Sequence, residues 1–488
     1  MRLASFSKLR SIDMHATIHR IRIAFSWLCI VGLVFAPTAL LAAERPNIIF
    51  CMTDDQGYGD VGYQGHPVLM TPTLDEMAVT GLRLDRFYSA SPVCSPTRAS
   101  VLTGRSPNRT GVFRWGNALR PEERTLSALL ADAGYRTGFF GKWHLGSIRA
   151  GRPTSPGARG FERWTAAANF FMNDPWMSRD GQPVQLVGEG SLATVDEALG
   201  FIREAAAGDQ PFLAFVWFGS PHTPHQATEE LKSLYADQSP KLRNYYGEIT
   251  GVDQAMGKLR DELRELDIHR QTLLMFTSDN GGRTVDGADH RGLRGQKSDL
   301  WEGGIRVPAL IEWPGRIVPR STDMPAGTVD LFPTFLDLAG VPRPTDRPLD
   351  GISLVPLLDG AMTSRPQPLG FWDYSQPETI GMKSDEIVQQ LRAVLDSGGV
   401  GEINEGILHP ATQPWTELDV YPGRAAWMDN HWKLHRTADQ RYLLFDLAQD
   451  PAEQADVFAE QASRGRRMSE ELRAWEDSVI QSVRGADY

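Results

Sequence analysis

Four side chains with hard oxygen atoms occur in two pairs along the chain. Asp54-Asp55 follows one short apolar run, and Asp279-Asn280 follows another. Carboxylate and amide oxygens without histidine suit Ca²⁺ better than Zn²⁺. Taken singly, each pair is better interpreted as a plain turn. The metal hypothesis therefore depends on what else the chain places beside these residues.

A cysteine segment is the most informative stretch of the sequence. It reads Cys94-Ser95-Pro96-Thr97-Arg98. Serine is a favoured N-cap and proline a favoured first helical residue, so the sequence predicts a strand-to-helix turn here. Cys94 would lie near the positive end of the helix, with Arg98 one turn further on the same side. The simpler interpretation is a buried cysteine before a capped helix.

Two histidines are candidates for proton transfer, because imidazole titrates near neutral pH. His144 follows an apolar run that ends at Lys142, and His222 lies in the segment Ser220-Pro221-His222-Thr223-Pro224-His225. A loop histidine is as often solvated or structural. We interpret both as pocket residues.

The elements that would position these residues alternate along the chain. Buried strands are predicted at Asn47–Met52, Thr137–Phe140, Phe212–Phe218, Thr272–Thr277 and Val307–Trp313, with helical patterns between them at Leu74–Gly81, Thr125–Ala133, Val195–Ala207 and Leu242–Leu266. Such alternation predicts an α/β fold with a large, mostly parallel central sheet flanked by helices. Ligands bind at the carboxyl ends of such strands, where the candidate residues occur.

The pattern changes in the last third of the chain. Ala425–Lys433 and Arg441–Leu447 are predicted to be antiparallel strands, followed by an amphipathic helix at Ser463–Val483. We therefore predict a larger domain over residues 44–350 and a smaller C-terminal α+β domain with an antiparallel sheet over residues 351–488.

The N-terminus has the features of a secretory signal peptide. Basic residues precede an apolar run that begins at Ile23 and ends at Leu41-Ala42-Ala43. We predict that residues 1–43 are cleaved and that the protein is secreted or periplasmic, with an uncleaved membrane anchor as the alternative. No stable membrane partner is expected.

Composition excludes several function classes. The 488 residues include 61 acidic, 50 basic and only 3 Cys, with a formal charge of −11. Few cysteines exclude a disulfide scaffold, and the acidic balance argues against a nucleic-acid partner. Loss of residues 1–43 removes five basic residues and one acidic residue, which moves the charge to −15. Cys51 is expected to be a small buried residue.

The chain resembles the formylglycine-dependent sulfatases, which are part of the alkaline-phosphatase-like superfamily. The resemblance rests on the Cys94–Arg105 segment and on three further stretches, Gly134–His144, Thr277–Gly282 and Gly295–Pro308, in family order. Within the family, the motif neighbourhood is similar to N-acetylgalactosamine-6-sulfatase-like and arylsulfatase-A-like members. The implied fold is the alkaline-phosphatase-like one.

The resemblance implies a sulfatase mechanism. Cys94 would be oxidised to formylglycine by a formylglycine-generating enzyme, and the hydrated aldehyde would attack sulfur. One calcium ion would be held by Asp54, Asp55, Asp279, Asn280 and the group derived from Cys94. Arg98 would support these ligands while Lys142 and Lys297 hold sulfate. His144 would act as a base, and His222, with Lys297 as the competing donor, would protonate the leaving group.

Further residues are expected around the substrate. A loop carrying His290, Arg291 and Arg294 adds positive charge near Lys297, although a solvated loop is equally compatible. His225 is a less certain pocket residue, and Trp115 and Asn117 could line the pocket mouth. A sulfated carbohydrate is the predicted substrate. The alternatives are a broad arylsulfatase, a phosphate or phosphonate monoesterase of the same superfamily, and an inactive protein that binds sulfated glycans.

Overall fold

The computed structural model describes residues 45–373, 383–397, 403–405 and 421–488. Residues 46–488 form one compact unit. The predicted signal peptide at residues 1–43 lies outside the described residues and stays a prediction, as does the domain boundary near residue 350. Within the described ranges, no helix is both long enough and apolar enough to cross a membrane.

Seventeen strands are described. In chain order they are β1 (Asn47–Thr53), β2 (Leu82–Leu84), β3 (Phe87–Tyr88), β4 (Arg136–Lys142), β5 (Arg163–Ala167), β6 (Trp176–Arg179), β7 (Gln182–Gln185), β8 (Phe212–Trp217), β9 (Thr272–Ser278), β10 (Arg306–Val307), β11 (Ala309–Glu312), β12 (Arg320–Thr322), β13 (Ala326–Gly327), β14 (Leu369–Asp373), β15 (Arg424–Asp429), β16 (Trp432–Arg436) and β17 (Tyr442–Asp446).

The α-helices of the described residues lie mostly between these strands. They are α1 (Pro72–Thr80), α2 (Cys94–Thr103), α3 (Leu126–Asp132), α4 (Gly190–Ala206), α5 (Glu229–Ser233), α6 (Pro240–Glu265), α7 (Glu302–Ile305), α8 (Leu331–Leu338), α9 (Val355–Leu358), α10 (Ser384–Asp396) and α11 (Ala462–Val483).

A ten-stranded mixed sheet forms the centre of the molecule. Its order is β12-β2-β11-β9-β1-β8-β4-β5-β6-β7, and the five strands from β9 to β5 are all parallel. β1 lies between β9 and β8, so Phe50 is in register with Met275 and Phe215. The predicted large, mostly parallel sheet flanked by helices is therefore confirmed.

The central strands are apolar along their whole length because helices cover both faces of the sheet. Along β1 the side chains alternate between two core clusters. Ile48, Phe50 and Met52 pack into one cluster, and Ile49 and Cys51 into the other. The prediction that Cys51 is a buried core residue is confirmed.

The C-terminal part adds a four-stranded antiparallel sheet in the order β14-β15-β16-β17, and α11 packs against it. This confirms the predicted smaller antiparallel sheet. One detail of the prediction is wrong: Ala425–Lys433 is not a single strand. The chain turns at Asn430, whose φ of +54° is in the left-handed region that asparagine tolerates, and β15 and β16 form a hairpin.

Candidate active site

The carboxyl ends of three parallel strands of the central sheet bring the predicted chemistry together. Asp54 and Asp55 follow β1, Asp279 and Asn280 follow β9, and Lys142 is the last residue of β4. The Asp279 backbone N–H donates to Thr53 O at 3.1 Å, which locks the two acidic turns side by side. Sheet order therefore converts residues about 225 positions apart into neighbours.

An oxygen-rich cluster lies at this edge of the sheet. Ligand atoms of Asp54, Asp55 and Cys94 all lie within 4.8 Å of one another. Asp54 Oδ1 and Asn280 Oδ1 are buried, and neither has a hydrogen-bond partner in the part of the chain that the structure describes. Buried oxygens left without a donor are costly unless a cation satisfies them. The residues present therefore fit a hard divalent cation such as Ca²⁺.

Arg98 is the buried cation that contacts the carboxylates of the cluster. Its guanidinium donates to Asp279 Oδ2 at 2.6 Å and to the Lys142 carbonyl at 2.9 Å, and it lies 3.7 Å from Asp54 Oδ1. Its Cζ atom also lies 5.1 Å from the ring centroid of Trp217. Arg98 is 0% exposed, so it acts as a fixed internal cation that substrate does not reach.

Two lysines complete the charge pattern. Lys142 donates to Asp54 Oδ2 at 2.6 Å, and Lys297 donates to Asp55 Oδ2 at the same distance. Lys142 is fully buried, whereas the Lys297 side chain is 12% exposed. Lys297 thus reaches the open side of the cluster, while Lys142 lies behind it.

Opposing charges set the protonation of the cluster. Burial acts to raise the pKa of Asp54, but Lys142, His222 and Arg98 outweigh it and hold that pKa well below its usual range. Lys297 and His222 likewise outweigh burial and lower the pKa of Asp55. Burial and the Asp54 charge raise the pKa of Asp279. The neighbouring cations therefore favour the ionised forms of Asp54 and Asp55, whereas burial and the Asp54 charge disfavour the ionised form of Asp279.

The start of α2 differs from the prediction. The helix begins at Cys94, and the N-cap position is Val93, which makes no side-chain cap. The Ser95 hydroxyl is not an N-cap; it donates to the His144 carbonyl at 2.7 Å and accepts from the Gly116 N–H at 3.0 Å. Ser95 therefore ties the cysteine turn to the histidine segment and to the loop that carries Trp115. Burial raises the pKa of the Cys94 thiol.

Both predicted proton-transfer histidines face the same space as Cys94. Burial lowers the pKa of His144 well below its usual value and that of His222 to about 4, so both imidazoles are neutral at pH 7. His222 Nε2 lies 3.6 Å from Asp55 Oδ2, and its ring stacks on Phe170 with centroids 5.1 Å apart. A neutral imidazole in this position can accept a proton.

A cavity of about 460 Å³ opens onto the cluster. Six of the predicted residues line it, namely Asp55, Cys94, Trp115, His144, His222 and Lys297. Five further lining residues were not predicted, namely Asn169, Phe170, Thr223, Arg283 and Ser298. Asn169 and Phe170 follow β5, another parallel strand, so the strand-end rule could have identified them. Arg283 directly follows Gly281-Gly282, next to the predicted metal pair.

Four predicted substrate residues and one mouth residue lie elsewhere. His225 Nδ1 lies 3.1 Å from Glu248 Oε2, and Arg291 pairs with Asp289 at 3.0 Å. Arg294 donates to the Glu453 carbonyl at 2.9 Å. Asn117 Oδ1 accepts from the backbone N–H groups of Phe113 and Arg114. Arg294 also stacks on Trp301, and His290 is only 8% exposed. All five residues are outside the set of described residues that line the cavity; nearer partners hold His225, Arg291, Arg294 and Asn117, whereas His290 is buried with both ring nitrogens lacking a hydrogen-bond partner among the described residues.

Comparisons with known proteins agree with this geometry. The family model described as Sulfatase matches residues 46–341, and the model described as N-sulphoglucosamine sulphohydrolase, C-terminal, matches residues 295–389. N-acetylgalactosamine-6-sulfatase of Canis lupus familiaris is 36% identical over 67% of this chain and 68% of its own length. Arylsulfatase A of Homo sapiens is 33% identical over 86% of this chain and 85% of its own length.

A solved structure extends the similarity to the whole fold. The crystal structure of Ps i-CgsB in complex with k-i-k-neocarrahexaose has a TM-score of 0.76 and 25% sequence identity, and it covers 90% of this chain and 94% of its own. The family match spans more than half of the chain and coincides with the strands that build the cluster. The chain belongs to the sulfatase family and is an enzyme that hydrolyses sulfate esters.

Proposed function

We propose that this sulfatase releases inorganic sulfate from a sulfated carbohydrate, with a nucleophile derived from Cys94 and one bound calcium ion. The observation that carries the proposal is the position of Cys94, which lines the cavity while its ligand atom lies within 4.8 Å of those of Asp54 and Asp55. A broad arylsulfatase would use the same residues, so the substrate experiments below include an aryl ester.

Asp54, Asp55, Asp279 and Asn280 would hold the calcium ion together with the group derived from Cys94. The buried, unpartnered oxygens of Asp54 and Asn280 support this ligand set. When bound, the ion would supply positive charge that lowers the pKa of the attacking hydroxyl and stabilises a sulfuryl oxygen. Lys142 and Arg98 keep Asp54 ionised, Lys297 keeps Asp55 ionised, and Arg98 orients Asp279 for that purpose.

Oxidation of Cys94 to formylglycine, carried out by a formylglycine-generating enzyme, would provide the nucleophile. One hydroxyl of the hydrated aldehyde loses its proton and attacks sulfur, while the S–O bond to the alcohol breaks. The second hydroxyl then loses its proton as the C–O bond to sulfate breaks, which releases sulfate and restores the aldehyde. Addition of water regenerates the diol. An ordinary serine ester would lack this exit.

The chain's own residues would move the protons. His144 is neutral and lines the cavity with Cys94, so we assign it the proton released when the aldehyde is restored. His222 and Lys297 both lie beside Asp55, and because the His222 imidazole is neutral at pH 7 we assign protonation of the leaving alcohol to Lys297. Burial acts to lower the pKa of Lys297, but Asp55 outweighs it and raises that pKa, so the lysine carries a proton at pH 7.

Several features support a carbohydrate substrate. Trp115 and Phe170 offer aromatic surfaces in a cavity that is larger than a sulfate group needs. One relative acts on an N-acetylgalactosamine sulfate by its name, and one similar structure contains a neocarrahexaose. The predicted signal peptide at residues 1–43 supports a secreted or periplasmic location, where such polymers are met.

The decisive experiment combines mass and rate measurements. The peptide that contains Cys94 should have the mass of an aldehyde or its hydrate, and the enzyme should release sulfate from a panel of sulfated mono- and oligosaccharides faster than phosphate from an aryl phosphate. Cys94→Ala and Cys94→Ser should lower kcat by at least about 10³-fold because they remove the nucleophile. Cys51→Ala, at the buried cysteine of β1, is the matched control and should keep kcat.

Two outcomes would contradict parts of the proposal. Full turnover by Cys94→Ala would overturn the nucleophile assignment. If thorough chelation leaves turnover unchanged and added Ca²⁺ does not increase it, the metal assignment is overturned. An aryl sulfate hydrolysed far faster than every sulfated sugar would favour the arylsulfatase alternative.

A further inference from the structure

Arg283 differs from the other cations around the active site. Arg98, Lys142 and Lys297 are each committed to a carboxylate at 2.6 Å. Arg283 lines the same cavity, yet its nearest carboxylate among the described residues is Asp286 Oδ2, which lies 3.7 Å from its Nε. That separation is too long for a hydrogen bond, so the guanidinium donors remain available to a ligand.

Asp286 also has another cation beside it. Lys241 Nζ lies 3.5 Å from Asp286 Oδ1, and His225 Nε2 lies 3.9 Å from the same oxygen. Because Lys241 competes for this carboxylate, its attraction for Arg283 is divided. The Arg283 side chain is 45% exposed, so an incoming anion can reach it without first breaking a buried ion pair.

The backbone of Arg283 is fixed even though its side chain is exposed. The Arg283 carbonyl accepts from the Asp286 N–H at 2.9 Å and from the Ala288 N–H at 3.3 Å. On one side Thr284 N–H donates to Gln296 Oε1 at 2.9 Å, and on the other Gly282 O accepts from the Lys297 N–H at 3.0 Å. The loop thus holds Arg283 at a set position relative to Lys297.

The geometry points to Arg283 as a specificity residue that binds a second anionic group on the substrate, next to the sulfate that is cleaved. This inference rests on the proposed function and names its substrate class more closely: an oligosaccharide with a carboxylate or a second sulfate beside the scissile ester. A planar guanidinium recognises both oxyanions with paired N–H donors. Trp115 and Phe170, which line the same cavity, would contact the sugar ring between the two anions.

The test compares substrates that differ only in the second anion. Three disaccharides carry the same scissile sulfate and have a neutral sugar, a uronic acid or a second sulfated sugar as the neighbour. For Arg283→Ala we expect kcat/KM to fall by about ten- to a hundred-fold on the anionic substrates, mostly through KM, because a charged hydrogen bond is lost. On the neutral substrate kcat/KM should stay within about twofold of the wild type, since no such bond is made there. Comparing the two anionic arms shows whether the carboxylate or the sulfate is preferred.

Arg264→Ala is the matched control. Arg264 is 44% exposed and, like Arg283, has an aspartate three residues away, but it lies on α6 outside the cavity-lining set. It should leave all three rates unchanged. Arg283→Lys should recover part of the lost rate, because it restores the charge without the paired donors. Equal losses on neutral and anionic substrates, or no loss on either, would overturn the inference.

A binding measurement separates this inference from the proposed function. In the Cys94→Ala background, calorimetric titration with each disaccharide reports affinity without turnover. Weaker binding of the anionic disaccharides after Arg283→Ala supports the subsite even if no sulfate is released. If the wild type turns over all substrates while Arg283→Ala changes neither affinity nor rate, the proposed function stands and the Arg283 assignment fails.

Discussion

At the level of single residues, the buried guanidinium of Arg98 connects several groups of the candidate active site. Arg98 contacts the Asp279 carboxylate, the Lys142 carbonyl and the Trp217 ring at the same time. A guanidinium can make these contacts together because its donors are fixed in one plane. A lysine ammonium is a compact charge without this planar arrangement of donors, so it would not reproduce the same set of contacts.

We therefore predict that Arg98→Lys lowers kcat by about 10²- to 10³-fold, since preorganised charge at the reacting centre is lost. Steady-state sulfate release measures this effect. Arg365→Lys is the control: Arg365 is equally buried and makes a bidentate pair with Asp330 at 2.7 and 2.8 Å, but it does not belong to the cluster. It should lose stability and keep kcat. Equal kcat losses in the two variants would contradict the assignment.

Among the elements, the short helix α7 braces the turn of Asp279 and Asn280 against the C-terminal sheet. Gly281 N–H donates to Gly304 O at 3.0 Å, and Gly303 N–H donates to Arg294 O at 2.7 Å. Glu302 at the start of α7 accepts from Lys433 Nζ of β16 at 2.9 Å, and Lys433 also lies 3.1 Å from Glu453. The C-terminal sheet thus holds the loop that follows Asn280.

Removal of one member of this buried network should be costly. We predict that Lys433→Met lowers the free energy of unfolding by about 3–5 kcal/mol, because two buried carboxylates lose their shared cation. Urea denaturation measures the loss, and hydrogen exchange should show weaker protection of residues 281–304. Lys258→Met, at an exposed pair with Asp196, should change stability by less than about 1 kcal/mol. Wild-type stability in Lys433→Met would refute the bracing role.

At the scale of the whole molecule, Asp350 connects the catalytic part to the closing helix. It accepts from the Ser106 N–H at 2.6 Å, from Arg109 Nε at 2.8 Å and from Trp475 Nε1 of α11 at 2.8 Å. Arg109 also donates to Ser478 and Ser482 of the same helix, at 3.0 Å each. One carboxylate therefore joins segments that lie far apart in the chain.

This carboxylate should make stability depend on pH. Burial acts to raise the pKa of Asp350, but Arg109 and the N–H donors outweigh it and lower that pKa. A lowered pKa stabilises the fold above the unfolded value of about 3.9, and the contribution is lost as pH falls further. We predict that Asp350→Asn lowers Tm at pH 7 and that its difference from wild type shrinks below about pH 4.

The control for this prediction is Asp346→Asn. Asp346 pairs with Arg124 at 2.8 Å, but the two side chains are 42% and 50% exposed, so Tm should change little at any pH. Thermal scans from pH 3 to 8 would compare the three proteins. A constant Tm difference for Asp350→Asn across that range would show that the carboxylate charge does not matter.

Local patterns predicted much of this fold, and their failures have physical causes. Apolar runs such as Asn47–Met52 identified the central strands because both faces of a parallel sheet are buried. The single strand predicted at Ala425–Lys433 was wrong because the polar segment Asp429-Asn430-His431 forms a hairpin turn between two short runs. Ser95 failed as an N-cap because its hydroxyl binds the His144 carbonyl, a contact between residues 49 positions apart. The sequence patterns did not identify Arg283, because the residues that line a cavity are determined by the tertiary fold and not by the local sequence.

The order of residues along the chain was enough to show which side chains follow which strands. It placed acids after β1 and β9, a lysine at the end of β4 and a cysteine before Pro96, which predicted the main sheet and the candidate chemistry, while the resemblance of the motifs indicated the family. The pairing of the charges, Lys142 with Asp54, Lys297 with Asp55 and Arg98 with Asp279, became clear only in the folded molecule. The reason is that these pairs depend on the strand order β9-β1-β8-β4 and on contacts within hydrogen-bond distance. Neither is encoded in the spacing of residues along the chain.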